Sequence, residues 1–146
     1  MDLTTTVKLA LYERIASSAT VPGSDELAAG LQLPADTVRA AFGELASQRL
    51  LVLQRDTGEI LMAPPFSAVA TPHHAEVDGR AYMANCVWDA FGVVAALGGT
   101  GVAVTRAGGT GTELRFPVAD GIPEPVAAVF HYAVPASRWW EDIVFT

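Results

Sequence analysis

Pro64-Pro65 marks a boundary in the chain, and that boundary constrains the fold more than any other feature of the sequence. Before the two prolines, apolar residues recur at helical spacing as far as about Arg49, and a short β-rich stretch follows. After them, the chain is cut into short β-rich runs around a single helical stretch. The residue before a proline is pushed to extended geometry, so a helix is not expected to continue through this point. The sequence therefore predicts an α+β protein. Its N-terminal module, residues 1–64, packs on a small mixed α/β domain with an antiparallel sheet, residues 65–146.

Within the first module, Val7, Ala10, Leu11 and Ile15 predict a helix over 4–18, with a threonine among Thr4 to Thr6 as its cap. Val21-Pro22-Gly23 breaks the chain. Ser24 is the expected cap of a short helix over 25–31, carrying Leu27, Ala28 and Leu31 on one face. Pro34 opens a third helix that runs to about Arg49, with Val38, Ala41, Phe42 and Leu45 inward. The runs 51–53 and 60–62 flank Asp56-Thr57-Gly58, which reads as a hairpin turn. Helix, short helix, turn, helix and hairpin make a winged-helix pattern.

That pattern suggests a DNA reader, but the charges oppose it. The third helix sets Arg39 and Arg49 against Asp36 and Glu44, and the hairpin sets Arg55 against Asp56 and Glu59. Residues 20–64 sum to −3 within a chain of net charge −7, whereas a DNA-binding module needs several cations for phosphates before bases matter. No nucleic-acid partner is expected, and the module reads as structural or as a cover for a substrate. Charged residues break up the N-terminal apolar pattern, so it is not a secretory signal, and no apolar run approaches membrane-spanning length. A cytoplasmic protein with no membrane partner is expected. The oligomeric state is not legible.

Beyond Pro65, PFSAVAT predicts a strand and AEVDGRAYM a hairpin turning at Asp78-Gly79. A helix is predicted over 85–97, ended by Gly98-Gly99. Strands are expected over 102–105, 113–117 and 126–134. The glycine-rich AGGTG lacks the strand–helix context of a nucleotide loop. In the 85–97 helix, Cys86, Asp89 and Ala90 stand at i, i+3 and i+4, on one face.

Residues 65–99, PFSAVATPHHAEVDGRAYMANCVWDAFGVVAALGG, resemble the core signature of the alkylmercury (organomercurial) lyases, a strand–hairpin–helix segment with Cys-x-x-Asp at the head of the helix. Here that motif is Cys86-Val87-Trp88-Asp89. The resemblance continues through FHYAVPASRWWEDIVFT, and the helical start matches the family's architecture. It implies protonolysis of a carbon–mercury bond to hydrocarbon and Hg(II), with Cys86 as the mercury-binding thiolate and Asp89 as both proton relay and metal neighbour. No cofactor is required, because Hg(II), or another soft metal, is substrate or product ion.

The chemistry suits these residues. Mercury is soft and is held by a thiolate, and a helix N-terminus favours the thiolate form. Breaking the bond requires a proton on carbon; a carboxylate beside the sulfur can take up the thiol proton and deliver it, and an apolar pocket favours its protonated state. The family's sites use two cysteines, and this sequence contains one. A divergent member and a chain truncated at Thr146 are the two expected explanations. Two alternatives to a lyase stand beside it: a module that captures soft metals or electrophiles at Cys86 without turnover, and a winged-helix regulator.

Other residues are given structural roles. His73 and His74, adjacent in a strand, point to opposite faces and make no ligand pair. His131 reads as a packed or edge histidine. Trp88, Trp139 and Trp140 read as core and pocket wall, and Tyr82 as a residue at the pocket mouth.

Overall fold

A computed structural model describes residues 1–145, so Thr146, where truncation was considered, lies outside the described residues. The chain opens with helices α1 (Leu3–Ser18), α2 (Ser24–Leu31) and α3 (Ala35–Ser47). Each buries the expected face: Val7, Leu11 and Ile15 from α1, Leu27 and Ala28 from α2, and Val38, Ala41, Phe42 and Leu45 from α3. The caps differ from expectation. Asp2, just ahead of the threonines, caps α1 by accepting from the Thr5 backbone N–H at 2.9 Å. Ser24 lies inside α2, and its hydroxyl and backbone N–H both donate to the Glu59 carboxylate, tying the helix to the following hairpin. Helix α3 stops at Ser47 because Arg49 turns to φ 60°, which sends the Leu50 N–H back to the Leu45 carbonyl.

Strands β1 (Val52–Leu53), β2 (Ile60–Ala63) and β3 (Phe66–Ser67) form a small antiparallel sheet that runs across Pro64-Pro65. Only two residues of PFSAVAT pair as strand. A second antiparallel sheet has the order β5-β4-β6-β7-β8, from β4 (His74–Val77), β5 (Arg80–Met83), β6 (Gly101–Arg106), β7 (Glu113–Ala119) and β8 (Ile122–Pro123). Asp78 and Gly79, both at positive φ, make the tight turn between β4 and β5. Gly101 lets β6 approach β4, since a Cβ there would sit 2.6 Å from the Glu76 carbonyl oxygen. Helix α4 (Val87–Ala96) lies across β4 and β6 and buries Ala90, Val93 and Val94.

One core joins the helices to the sheets. Phe66 packs against Tyr12 and Tyr82, and the Tyr82 hydroxyl donates to the Ala16 carbonyl at 2.8 Å. Tyr82 is therefore a buried tie between α1 and β5 and not a residue of the pocket mouth.

The strand expected over 126–134 is not formed. Pro125 offers no N–H to a ladder, and the aromatic residues are engaged elsewhere. Phe130 packs on Phe91 and Phe116, and Tyr132 on Trp139. His131, on this segment, is exposed rather than packed. The segment leads into a 3₁₀ helix, Ala136–Glu141, which carries Trp139 and Trp140.

Candidate active site

Cys86 is the residue from which α4 starts. Its backbone is extended, φ −148°, and its carbonyl accepts the first helical hydrogen bond, from Ala90 N–H at 3.0 Å. Asp89 follows in the first turn on the same side, as the spacing predicted. Both are half-buried. The β4–β5 hairpin delivers the chain to this point, and Thr71 locks the approach by donating to the Ala84 carbonyl at 2.6 Å.

Asn85 holds the carboxylate. Its Nδ2 donates to Asp89 Oδ2 at 3.0 Å and lies 3.3 Å from both the Pro65 and Phe66 carbonyl oxygens. Three acceptors fix the amide's orientation, which turns Oδ1 the other way. Among the described residues, the buried side-chain polar atoms with no hydrogen bond are that Oδ1 and the Tyr132 hydroxyl. Both residues line the same cleft as Cys86 and Asp89. The sequence reading gave neither of them a role. Asn85 was visible only as a polar residue next to the cysteine, and Tyr132 was assigned to a strand.

The cleft has a volume of about 220 Å³. Cys86, Asp89, Asn85 and the Tyr132 hydroxyl are its polar groups, and Met62, Pro64, Ile143 and Val144 contribute aliphatic wall. All three tryptophans of the chain, Trp88, Trp139 and Trp140, line it as well. The pocket-wall expectation for them stands, but Trp88 is 63% exposed and is not core.

Burial sets the protonation states. It raises the Cys86 thiol above its ordinary range, and the charge of Asp89 adds to the rise. The side chain makes no capping hydrogen bond, yet the Asp89 and Trp88 N–H groups favour the thiolate and offset part of the shift. The helix terminus therefore acts in the expected direction but does not prevail over desolvation. Burial likewise raises Asp89 above the usual carboxylate range, opposed by the hydrogen bonds with Asn85 and Cys86. Tyr132 is raised by burial and then by Cys86 and Asp89, so its hydroxyl keeps its proton. At neutral pH the resting Cys86 is therefore a thiol, and beside it stands a carboxyl group that holds its proton more tightly than an exposed one.

The histidines stand elsewhere. His73 Nδ1 meets the Thr105 hydroxyl at 2.6 Å, and His74 Nε2 lies 3.6 Å from Glu76. No cluster of three or more His, Cys, Asp or Glu side chains able to hold a metal occurs among the described residues. A soft ion here would have one thiolate, with the Asp89 carboxylate as its neighbour.

A family model described as alkylmercury lyase matches residues 66–146, more than half of the chain. Among solved structures, the mercury-bound form of MerB2 is similar in fold, with a TM-score of 0.61 at 19% sequence identity. The match covers 83% of this chain but 59% of that one. No curated protein matches.

Proposed function

The chain belongs to the alkylmercury lyase family, and on that premise we propose that it cleaves carbon–mercury bonds by protonolysis, with Cys86 holding the metal and Asp89 moving the proton. One observation carries the reading. The only thiol in the chain and a carboxyl group of raised pKa stand together at the head of α4 in a mainly apolar cleft.

In the first step the Cys86 sulfur binds the mercury of R–Hg–X. The thiol proton passes to Asp89, and X⁻ leaves. Thiolate loading needs the proton removed, and a carboxylate of raised basicity beside the sulfur is suited to accept it. In the second step Asp89 gives that proton to the carbon of R as the Hg–C bond breaks, with the bonding pair going to carbon. RH leaves, and Hg²⁺ remains on the Cys86 thiolate beside the Asp89 carboxylate. Asn85 keeps that carboxylate aimed through both steps. With one thiolate fixed, a small thiol from solution supplies the second sulfur that removes the product ion.

The single cysteine favours one other reading, capture of a soft metal or electrophile at Cys86 without cleavage. Both readings assign the metal to the same atom. Mass spectrometry of the protein with one equivalent of an organomercurial should show one adduct, and Cys86→Ser should show none. Equal occupancy in the variant would remove the assignment.

A role in binding DNA is not part of the proposal. Arg39, the cation that α3 would present, is 2.8 Å from Asp25, 3.0 Å from Asp36 and 3.8 Å from Glu59. Arg49 lies 5.6 Å from the centre of the Trp140 ring. Carboxylates beside Arg39 compete with phosphates for it, which supports the reading without DNA. A fluorescence-anisotropy titration with duplex DNA at physiological salt should show no binding up to micromolar protein. Submicromolar, salt-sensitive binding would restore the regulator.

A further inference from the structure

We propose, resting on the reading above, that the cleft selects mercurials whose organic group is aromatic, with Tyr132 and Trp139 as the wall against which the ring lies. The placement of the tryptophans is the first observation. None of the three belongs to the hydrophobic core, which is built from aliphatic residues, Phe and Tyr, and all three line the cleft that contains Cys86. A chain that needed only to shield a thiol from water could do so with aliphatic side chains.

The wall is also held in place. The Tyr132 and Trp139 rings have centroids 5.3 Å apart at 48°, and Trp139 Nε1 donates to the Val134 carbonyl at 2.8 Å. Rings arranged in this way offer faces and edges to a third ring. Size is consistent with such a ligand. Apolar cavities of about 150 Å³ bind benzene, and this cleft, at about 220 Å³, has room for a ring plus the metal between ring and sulfur. A methyl group would leave most of the aromatic surface uncovered.

The test is an exchange equilibrium and does not depend on turnover. In Cys86–SH + R–Hg–SR′ ⇌ Cys86–S–Hg–R + R′SH, one Hg–S bond breaks, one forms, and the cysteine proton passes to the departing thiolate. With 2-mercaptoethanol as R′SH, the intrinsic strength of the Hg–S bond cancels, and the constant reports what the cleft adds for each R. Phenylmercury and methylmercury are compared by mass spectrometry before measurable arene release. The phenyl constant should exceed the methyl constant by roughly tenfold in the wild type, for the extra apolar surface removed from water. Trp139→Leu and Tyr132→Leu should each lower that ratio several-fold, while Tyr132→Phe, which keeps the ring, should preserve it. Should Trp139→Leu fail to fold, the wild-type ratio and the Tyr132 pair still decide. A wild-type ratio near one, or a ratio unmoved by both leucine variants, would overturn the proposal while leaving Cys86 loading intact. Absence of loading at Cys86 would instead overturn the functional reading on which it rests.

Discussion

Asp89→Asn should load an arylmercurial at Cys86 as fully as the wild type, yet release arene at least about a hundredfold more slowly, the usual loss when a positioned proton donor is removed. The amide has nearly the shape of the carboxyl group and can still accept from Asn85, which donates to Asp89 at 3.0 Å. What it lacks is a transferable proton. Glu141 and Asp142, acids beside the cleft residues Trp140 and Ile143, do not line the cleft themselves, and Glu141 is bonded to Arg138. Turnover that survived in Asp89→Asn would mean that another acid delivers the proton. The same variant has a signature in stability. Burial raises the Asp89 carboxyl, so the folded state binds its proton more tightly than the unfolded chain does. The group's contribution is most favourable at low pH and is lost as pH rises from the ordinary carboxylate range through the raised value. Asn has no such dependence. Urea titrations between about pH 4 and pH 7 should therefore find Asp89→Asn gaining on the wild type as pH rises. The opposite slope would mean that the charged form is the one the fold prefers.

Phe42→Ala should cost about 3–5 kcal/mol, the range for emptying a buried aromatic site, and lower the melting temperature by roughly 10 °C. Phe42 is among the largest side chains with no exposure to solvent, and it is the aromatic residue on the inner face of α3. Its helix packs on both α1 and α2, whose buried residues share its core. The destabilisation is read from the denaturation midpoint at constant m. A loss below about 1 kcal/mol would show that the helical part is not packed as described.

The two halves of the molecule differ in how far their sequence discloses them. Periodicity exposes α1, α3 and α4 because each must bury one stripe, and the Asp78-Gly79 turn exposes the β4–β5 hairpin because few residue pairs accept positive φ. Cys86 and Asp89 stood out through the family resemblance of residues 65–99; their spacing at a helix start says only that the two side chains fall on one face. Asn85 and Tyr132 were not legible. Asn85 reaches across to the Pro65 and Phe66 carbonyls, contacts set by how the chain before α4 packs on β3. Tyr132 sits on a segment whose β-branched and aromatic residues imitate a strand, while its rings are used to cover the cleft and the face of α4. Tyr82 and Ser24 show the same limit. A polar group aimed at a distant backbone or carboxylate looks, in sequence, like a surface residue or a local cap. The thiol's raised pKa is likewise a property of burial, which the motif alone does not carry.

The most direct test of the central claim is arene release by the wild-type chain incubated with an arylmercurial and excess small thiol. The thiol supplies the second sulfur ligand and carries off Hg²⁺. Turnover should be slow, since a diffusing ligand lacks the effective molarity of a fixed one. Arene should appear above the small-thiol background and be abolished in Cys86→Ser and in Asp89→Asn. No arene above that background from the wild type would contradict the claim and leave Cys86 as a site of capture alone.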